Sequence, residues 1–552
     1  MAANYMNGAV ATLDRPNVER LAVAEIVDEH PALTANKKYR WFILIGLVVS
    51  AILEIMDTSI VNVALPQMAG TLGCTVVDIA WVSTAYFLAN VVFLPMTAWL
   101  ALRFGRKNYL VASVVIFGIS SLLCAFSPSL GYVVLWRLVQ GAAGAALIST
   151  AQAVLVDIFP SQQQGMVQAL FGLGLVVAPA IAPLLGGWIV ENYSWQGVFY
   201  INVPIASLAV YLIGVLYKDA STERSRDSAG KIDGCGIALL AIGLGSLQYV
   251  LEEGQRYNWF DDVWITRISI IAGLGIVSMI VWELWPSNKN PVVNLRVYAN
   301  RGLWSAVVIS FMIGIGMYGV NYAFSVFVQH VLQYTSLKTG QAMLPMGIGA
   351  LLSLAIVAAI SNLVDPRIQV VVGLVACAAG SWMLGFSTAS TGLENTWLPL
   401  GLVGFGAGGS MLPVMISGFA AIKTSQAADG SAQMGLGRQL GGSFGIAIIN
   451  THISQMTDFH RAMILQHLIL ANQTFTHDVY RIAGMMMAHG YHGPAARNAA
   501  LALIEQQVGQ QSAIMGSNSA FQLVALMFFC CLPLVLLLKA PRAGAGDRPT
   551  MH

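Results

Sequence analysis

Apolar runs of about twenty residues recur from near Trp41 to near Lys539, and they fix the solvent in which this chain must fold. A helix needs about 20 apolar residues to cross the roughly 30 Å hydrocarbon layer of a bilayer, and a helix satisfies all its backbone donors and acceptors internally there. Only 10% of the 552 residues are charged and 57% are hydrophobic, whereas a soluble domain carries about 25% charged residues. A large water-soluble enzyme is excluded on that ground. The chain reads as an all-α integral membrane protein with fourteen spans. They begin near Trp41, Asp78, Asn108, Leu130, Gly165, Val198, Gly234, Trp264, Leu303, Leu337, Arg367, Thr396, Ser431 and Ser517.

An even count puts both termini on one side, and the basic residues test it. Of 28 lysines and arginines, 20 fall in loops on the side of the N-terminus and 6 on the other, with Arg137 and Arg438 inside spans. The positive-inside rule then places both termini in the cytoplasm. With a net charge of +2 and bases scattered in short loops, no nucleic-acid partner is expected. The six cysteines show no metal or disulfide spacing and serve as small apolar fillers. Residues 1–36 are polar and mixed in charge, unlike a signal peptide. No phosphate-binding G-x-x-x-x-G-K-[ST] string is present, which argues against ATP-driven work.

Charge inside the apolar runs points to function. Glu54 and Asp57 lie in the first run and Arg137 in the fourth. A charged side chain at mid-bilayer costs roughly 2.5–3.5 kcal/mol on insertion scales, and such residues usually face a bundle interior or an aqueous path. Glu54 and Asp57 are three apart and share a helix face. A carboxyl group so placed can take a proton on one side and release it on the other, and Asp57 is the first candidate for that part; a purely structural ion pair or buried hydrogen bond is the alternative, and Glu54 could instead recognise a cationic substrate. Arg137 is a fixed cation for which an acid of the first span is the natural partner. Gly141 and Gly144 permit close helix approach.

Other segments carry softer signals. Gly105 allows a tight turn between two spans, with Arg103 and Arg106 placed to cap helix carbonyls or to anchor the loop. The fifth span holds Pro179, Pro183, Gly186 and Gly187, a composition suited to a bent, closely packed helix. Tyr318, Asn321, Tyr322 and Met343 offer adaptable contacts for amphipathic molecules of varied shape. Residues 218–233 form a charged linker. Residues 451–516 form a helical excursion on the outer side; six of the nine histidines lie there, read as solvated or partly packed with no metal expected, metal binding or pH sensing being the alternative.

Several strings in order carry a family resemblance: Met56-Asp57-Thr-Ser-Ile-Val-Asn-Val-Ala-Leu-Pro66, the loop Trp99 to Lys107, Arg137 with Gln140 and Gly141, the stretch Pro179 to Gly187, Ser194 to Pro204, Leu251 to Phe260, and Arg438 to Gly445. The chain resembles the major facilitator superfamily, and within it the 14-span drug:proton antiporters of the EmrB/QacA type. Two departures stand out: Ala98 and Leu102 replace the usual Gly and Asp of the loop motif, and Ala182-Pro183 replaces the Gly-Pro of the antiporter motif. The resemblance implies two six-helix halves, 41–217 and 303–540, flanking an inserted pair at 234–286. Residues 1–40 and 541–552 would be cytoplasmic tails.

The resemblance further implies alternating access around a central cavity. Asp57, Glu54 and Arg137 would serve proton coupling. Arg103, Gly105 and Arg106 would serve gating, and Pro179, Pro183, Gly186 and Gly187 the antiporter motif. Asn62, Gln140, Tyr318, Asn321, Tyr322, Met343 and Arg438 would line the substrate cavity. The expected activity is efflux of hydrophobic or amphipathic compounds across a bacterial inner membrane, driven by protons and without a cofactor. A periplasmic adaptor and an outer-membrane channel are the expected partners. A membrane potential supplies about 2.3 kcal/mol per charge per 100 mV, and a pH unit about 1.4 kcal/mol, enough for one proton to hold a several-hundred-fold gradient of a neutral compound. The rivals are a proton symporter for nutrient uptake and, from another class, a membrane sensor or lipid-modifying enzyme.

Overall fold

The computed structural model describes residues 36–160, 163–219, 233–286, 288, 291–360, 364–420, 422, 426–468, 473–488 and 490–538. The tails and most of the 218–233 linker lie outside the described residues. The longer helices are α1 (Arg40–Leu72), α2 (Trp81–Phe104), α3 (Arg106–Ala125), α4 (Leu130–Ile158), α5 (Gln164–Asn192), α6 (Asn202–Leu216), α7 (Gly234–Glu253) and α8 (Val263–Leu284). They continue as α9 (Arg301–Val326), α10 (Ser336–Ile360), α11 (Pro366–Leu384), α12 (Leu393–Ala420), α13 (Ala427–Gln466), α14 (Gln473–Ala488) and α15 (Pro494–Cys531). Side-chain caps fix several starts: Asp233, Asp262, Asn300 and Asp365 each accept from a backbone N–H in the first turn of the helix that follows, satisfying donors that a helix leaves open.

Among the described residues, thirteen helices are long and apolar enough to cross a membrane. The remaining predicted span, near Ser431, is α13, whose glycines, glutamines and serines and whose Arg438 dilute its apolar character. Packing secures it instead: α13 lies against α9 and α15, out of the solvent its own composition would disfavour. One core joins helices α9 to α13 and α15, with Phe324, Phe327, Phe521 and Phe528 among its largest side chains. Two others join α1 to α6, one around Phe117, Phe159 and Phe171 and one around Trp195 and Phe199. The two groups meet where α5 packs on α10 and α4 on α13.

Helices α7 and α8 pack on each other, and α7 also touches α2 and α13, so it reaches both groups. Leu240, Leu244 and Met279 of this pair share a core with Val91, Val92 and Met96 of α2. The outer face of α8 leaves Ile270, Leu274 and Val277 exposed, as expected of a surface that meets lipid.

The 451–516 excursion is built from helices that continue the spans. With 40 residues, α13 is about 60 Å long at 1.5 Å per residue, twice the hydrocarbon thickness. Its last turns and the first turns of α15 therefore project beyond the bilayer as an arm. Ile482 and Ala483 of α14 pack against Ala500 of α15 to hold that arm together.

The bundle depends on glycine at helix crossings. A Cβ on Gly404 of α12 would lie 1.8 Å from the Met346 carbonyl oxygen of α10, and one on Gly349 would lie 2.1 Å from the Gly401 carbonyl oxygen. Backbone cannot yield as a side chain can, so Gly404→Val should lower the thermal unfolding midpoint in detergent by the equivalent of about 1–3 kcal/mol or more. Gly273→Val, where a Cβ meets nothing within 4 Å, should move it little.

Candidate functional site

The charged residues of the first and fourth spans meet inside the first six-helix group. Asp57 Oδ2 accepts from Arg137 Nη1 at 2.5 Å. Its Oδ1 accepts from Gln140 Nε2 at 3.0 Å and from Asn202 Nδ2 at 2.7 Å. Arg137 also donates to the Val82 carbonyl oxygen at 2.9 Å and to Gln140 Oε1 at 2.8 Å. Its guanidinium stacks over the Tyr86 ring, 4.4 Å from the centroid. Asp57 is wholly buried and Arg137 is 1% exposed.

Four helices supply this cluster: α1, α2, α4 and α6. Gly141 makes it possible, since a Cβ there would sit 2.2 Å from the Tyr86 carbonyl oxygen and push α2 off α4. Several hydrogen bonds and an opposite charge compensate each ion for its desolvation. Gln140, expected in the substrate cavity, is instead part of this network and is fully buried.

A second acid behaves differently. Glu54 lies one turn before Asp57 and accepts from Asn90 Nδ2 at 3.3 Å through Oε1, while its Oε2 is buried with no hydrogen-bond partner among the described residues. It faces a cavity of about 40 Å3 between the two helix groups, room for a few waters. Arg438 of α13 lines the same cavity, and its Nε is likewise buried without a partner. Ile148, Ile313, Met411, Met415 and Met434 supply apolar walls, and Ser149, Gln152, Ser310 and Gln439 add polar groups. A carboxyl from one half and a guanidinium from the other, each with an unused polar atom, share one mostly apolar chamber.

Contacts between the two helix groups lie on both sides of the chamber. Toward the face with the basic loops, Ser431 Oγ donates to Gln152 Oε1 at 2.8 Å and to the Ser149 carbonyl oxygen at 3.0 Å, and Ala98, Ala153 and Ala428 pack together. Toward the opposite face, Gly340 of α10 abuts the backbone of Pro183 and Leu184 in α5. Pro179 and Pro183 lie within the continuous helix α5. Gly186 packs on Ile60 of α1, where a Cβ would come within 2.6 Å of that side chain, and Gly187 is buried.

The loop residues sit at the basic face. Gly105, at φ +83°, breaks the chain between α2 and α3. Arg106 pairs with Asp157 at the end of α4, and the Lys107 N–H donates to Asp219 at 3.2 Å. Arg103 is partly exposed on the last turn of α2.

Besides Gln140, four residues expected in the substrate cavity are placed elsewhere. Asn62 is exposed and accepts from Ser83 Oγ at 2.9 Å. Asn321 donates to the carbonyl oxygen of Met317, one turn back in its own helix, and Tyr322 Oη donates to Asn450 Oδ1. Met343 is part of the second group's core. Tyr318 lines a smaller cavity beside the chamber, and Arg438 lines the chamber itself. Sequence reading missed Asn90, Gln152, Gln439 and Glu252. Each is a polar side chain within a predicted apolar span, the signal that marked Arg137. The excursion's His452 bonds Ser519 Oγ at 2.8 Å, and among the described residues no three His, Cys, Asp or Glu side chains are grouped to hold a metal.

Comparison with known proteins agrees with this architecture. The Major Facilitator Superfamily model matches residues 47–446. The chain is 29% identical over 513 residues to the multidrug export protein EmrB of Escherichia coli K12, covering 92% of this chain and 97% of that one. It is 28% identical over 506 residues to the fatty acid resistance protein FarB of Neisseria gonorrhoeae, covering 92% and 97%. Among solved structures, the human organic anion transporter MFSD10 shares the fold, with a TM-score of 0.56 and 12% identity, covering 91% of this chain and 99% of that one. Many-helix membrane architecture, a chamber between two helix groups and a family match over most of the chain converge: the chain belongs to the major facilitator superfamily and is a multi-pass membrane transporter, not an enzyme.

Proposed function

We propose that this chain is a multidrug efflux transporter of the inner membrane that exchanges protons for hydrophobic or amphipathic organic compounds by alternating access. Its relatives are named for multidrug export and for fatty acid resistance. The observation that carries the coupling is the chamber itself: Glu54 and Arg438, one from each half, face the same space among methionines. Methionine adapts its shape to varied ligands, and a chamber between two halves is what rocking access requires.

The two acids of α1 take different parts. Glu54 meets the chamber with an unused oxygen and is the proton-bearing group. Asp57, held by three side chains and sealed from the chamber, forms with Arg137 the joint on which α1, α2, α4 and α6 turn as a unit. The sequence alone ranks Asp57 first; exposure to the chamber favours Glu54. The Arg106–Asp157 pair latches the basic face. The excess of basic residues there supports a cytoplasmic location for that face and for both termini. The projecting arm, with Phe459, Tyr480 and Met487 exposed, would meet a periplasmic adaptor leading to an outer-membrane channel, and the pump needs no cofactor.

In inverted vesicles, Glu54→Gln should cut proton-coupled export about 100-fold or more, the scale on which a positioned proton-transfer group acts, while unfolding at an unchanged temperature. Full proton-coupled export by Glu54→Gln, with loss in Asp57→Asn, would move the proton site back to Asp57.

Removing one partner of a buried ion pair leaves an uncompensated charge, so Arg137→Ala should destabilise the folded protein by about 3–5 kcal/mol. The double variant Asp57→Asn/Arg137→Gln should recover much of that loss in detergent unfolding, because no lone charge remains.

A further inference from the structure

We propose that Glu252, carried by the inserted helix α7, is a second proton-bearing group. It would collect protons from the face opposite the basic loops and pass them to Glu54. The inference rests on the proton-coupled reading above and adds to it the route by which the proton enters.

Glu252 lines a small cavity of about 10 Å3 with Phe87 of α2, Tyr318 of α9 and Gln439, Gly442 and Ser443 of α13. That volume holds about one water. Three helices independently place this cavity next to the Glu54 chamber and farther from the basic face. On α13, Arg438 and Gln439 line the chamber, while Gln439, Gly442 and Ser443 line the small cavity one turn on. On α2, which runs toward the basic loop at Gly105, Phe87 lines the small cavity while Asn90 and Leu94 line the chamber. On α9, which runs away from the basic face, Ser310 and Ile313 come first and Tyr318 follows. Gln439 borders both spaces and forms the partition. Its amide can orient water on either side, donating to one and accepting from another.

The surroundings suit a carboxyl that gains and loses a proton. Gln248, itself fully buried, donates to Glu252 Oε1 at 2.9 Å and leaves its own Oε1 without a partner. Among the described residues, no cation forms an ion pair with Glu252. Its neighbour Glu253 is paired with Arg256 at 3.2 Å, and Arg256 also reaches Asp78 at 3.8 Å. Tyr249, on the same helix, meets the Trp81 ring at a tilt, with centroids 5.8 Å apart. Tyr318 shares the cavity, and Tyr322 is tied to Asn450. Arg438 lies beyond the partition, in the chamber. The transfer balances simply: a proton from outer water joins the Glu252 carboxylate, moves to water beside Gln439, and ends on Glu54, with no bond broken other than O–H.

The pH profile of export by the purified full-length chain in liposomes tests this, with internal and external pH set separately and a protonatable dye reporting flux. Glu252→Gln should shift the dependence on outer pH so that about tenfold more protons, one pH unit, are needed for half-maximal export. Glu252→Asp should keep the wild-type profile. A uniformly slower pump with an unshifted profile would assign Glu252 a structural part and overturn the proposal, as would a wild-type profile in Glu252→Gln. Glu54→Gln separates the two readings. Loss of proton flux there, with Glu252→Gln unaffected, defeats only the entry route. Proton-independent export by the wild type defeats both.

Discussion

Everything else in the first half is arranged around one buried ion pair. Asp57 and Arg137 cannot stay in hydrocarbon as separate charges, and neither can be left half-satisfied. The requirement draws α1 to α4, brings Asn202 of α6 to the remaining carboxylate oxygen, and fixes α2 through the Val82 carbonyl and the Tyr86 ring. Gly141 follows from the same demand, because a Cβ there would meet the Tyr86 backbone and hold α2 too far away for Arg137 to reach Val82, while one at Gly144 would meet the Tyr86 hydroxyl. The pair is therefore a constraint on helix position before it is anything chemical.

That constraint also sorts the acids. Glu54 is one turn from Asp57 on the same face, yet Asp57 is enclosed by polar partners while Glu54 looks out of the first half toward the second. The second half answers with Arg438 on α13, a helix too polar to count as a span by hydropathy. Its polarity is tolerated because α9, α15 and α7 pack around it. The polar residues of α13 then line a file of two cavities, and the inserted pair adds a carboxyl to that file. The insert thus borders the cavities on one side and presents apolar residues outward on the other.

Much of the bundle was legible because hydropathy acts locally: a run such as Arg106–Ala125 must be a helix if it lies in a bilayer, whatever its neighbours. Gly105 announced its turn for an equally local reason, a positive φ that few residues adopt. The excursion was legible as helical but not as the direct continuation of α13 and α15, since nothing local marks where a helix leaves the membrane. Tyr322 and Asn321 read as cavity residues because adaptable polar aromatics suit ligands; in the fold they bond within the second half.

What the sequence by itself determined is the solvent, the approximate number of helices, and the presence of charges that must find partners. Periodicity and composition carry those facts along the chain. Only the tertiary structure decided which acid is locked and which faces open space. Glu54 and Asp57 share a helix and a face, and only the neighbours contributed by α2, α4, α6 and α13, brought together from over 300 residues apart, distinguish them. The same holds for Asn90, Gln439 and Glu252, whose isolated polarity is visible in the sequence but whose convergence depends on how the helices pack.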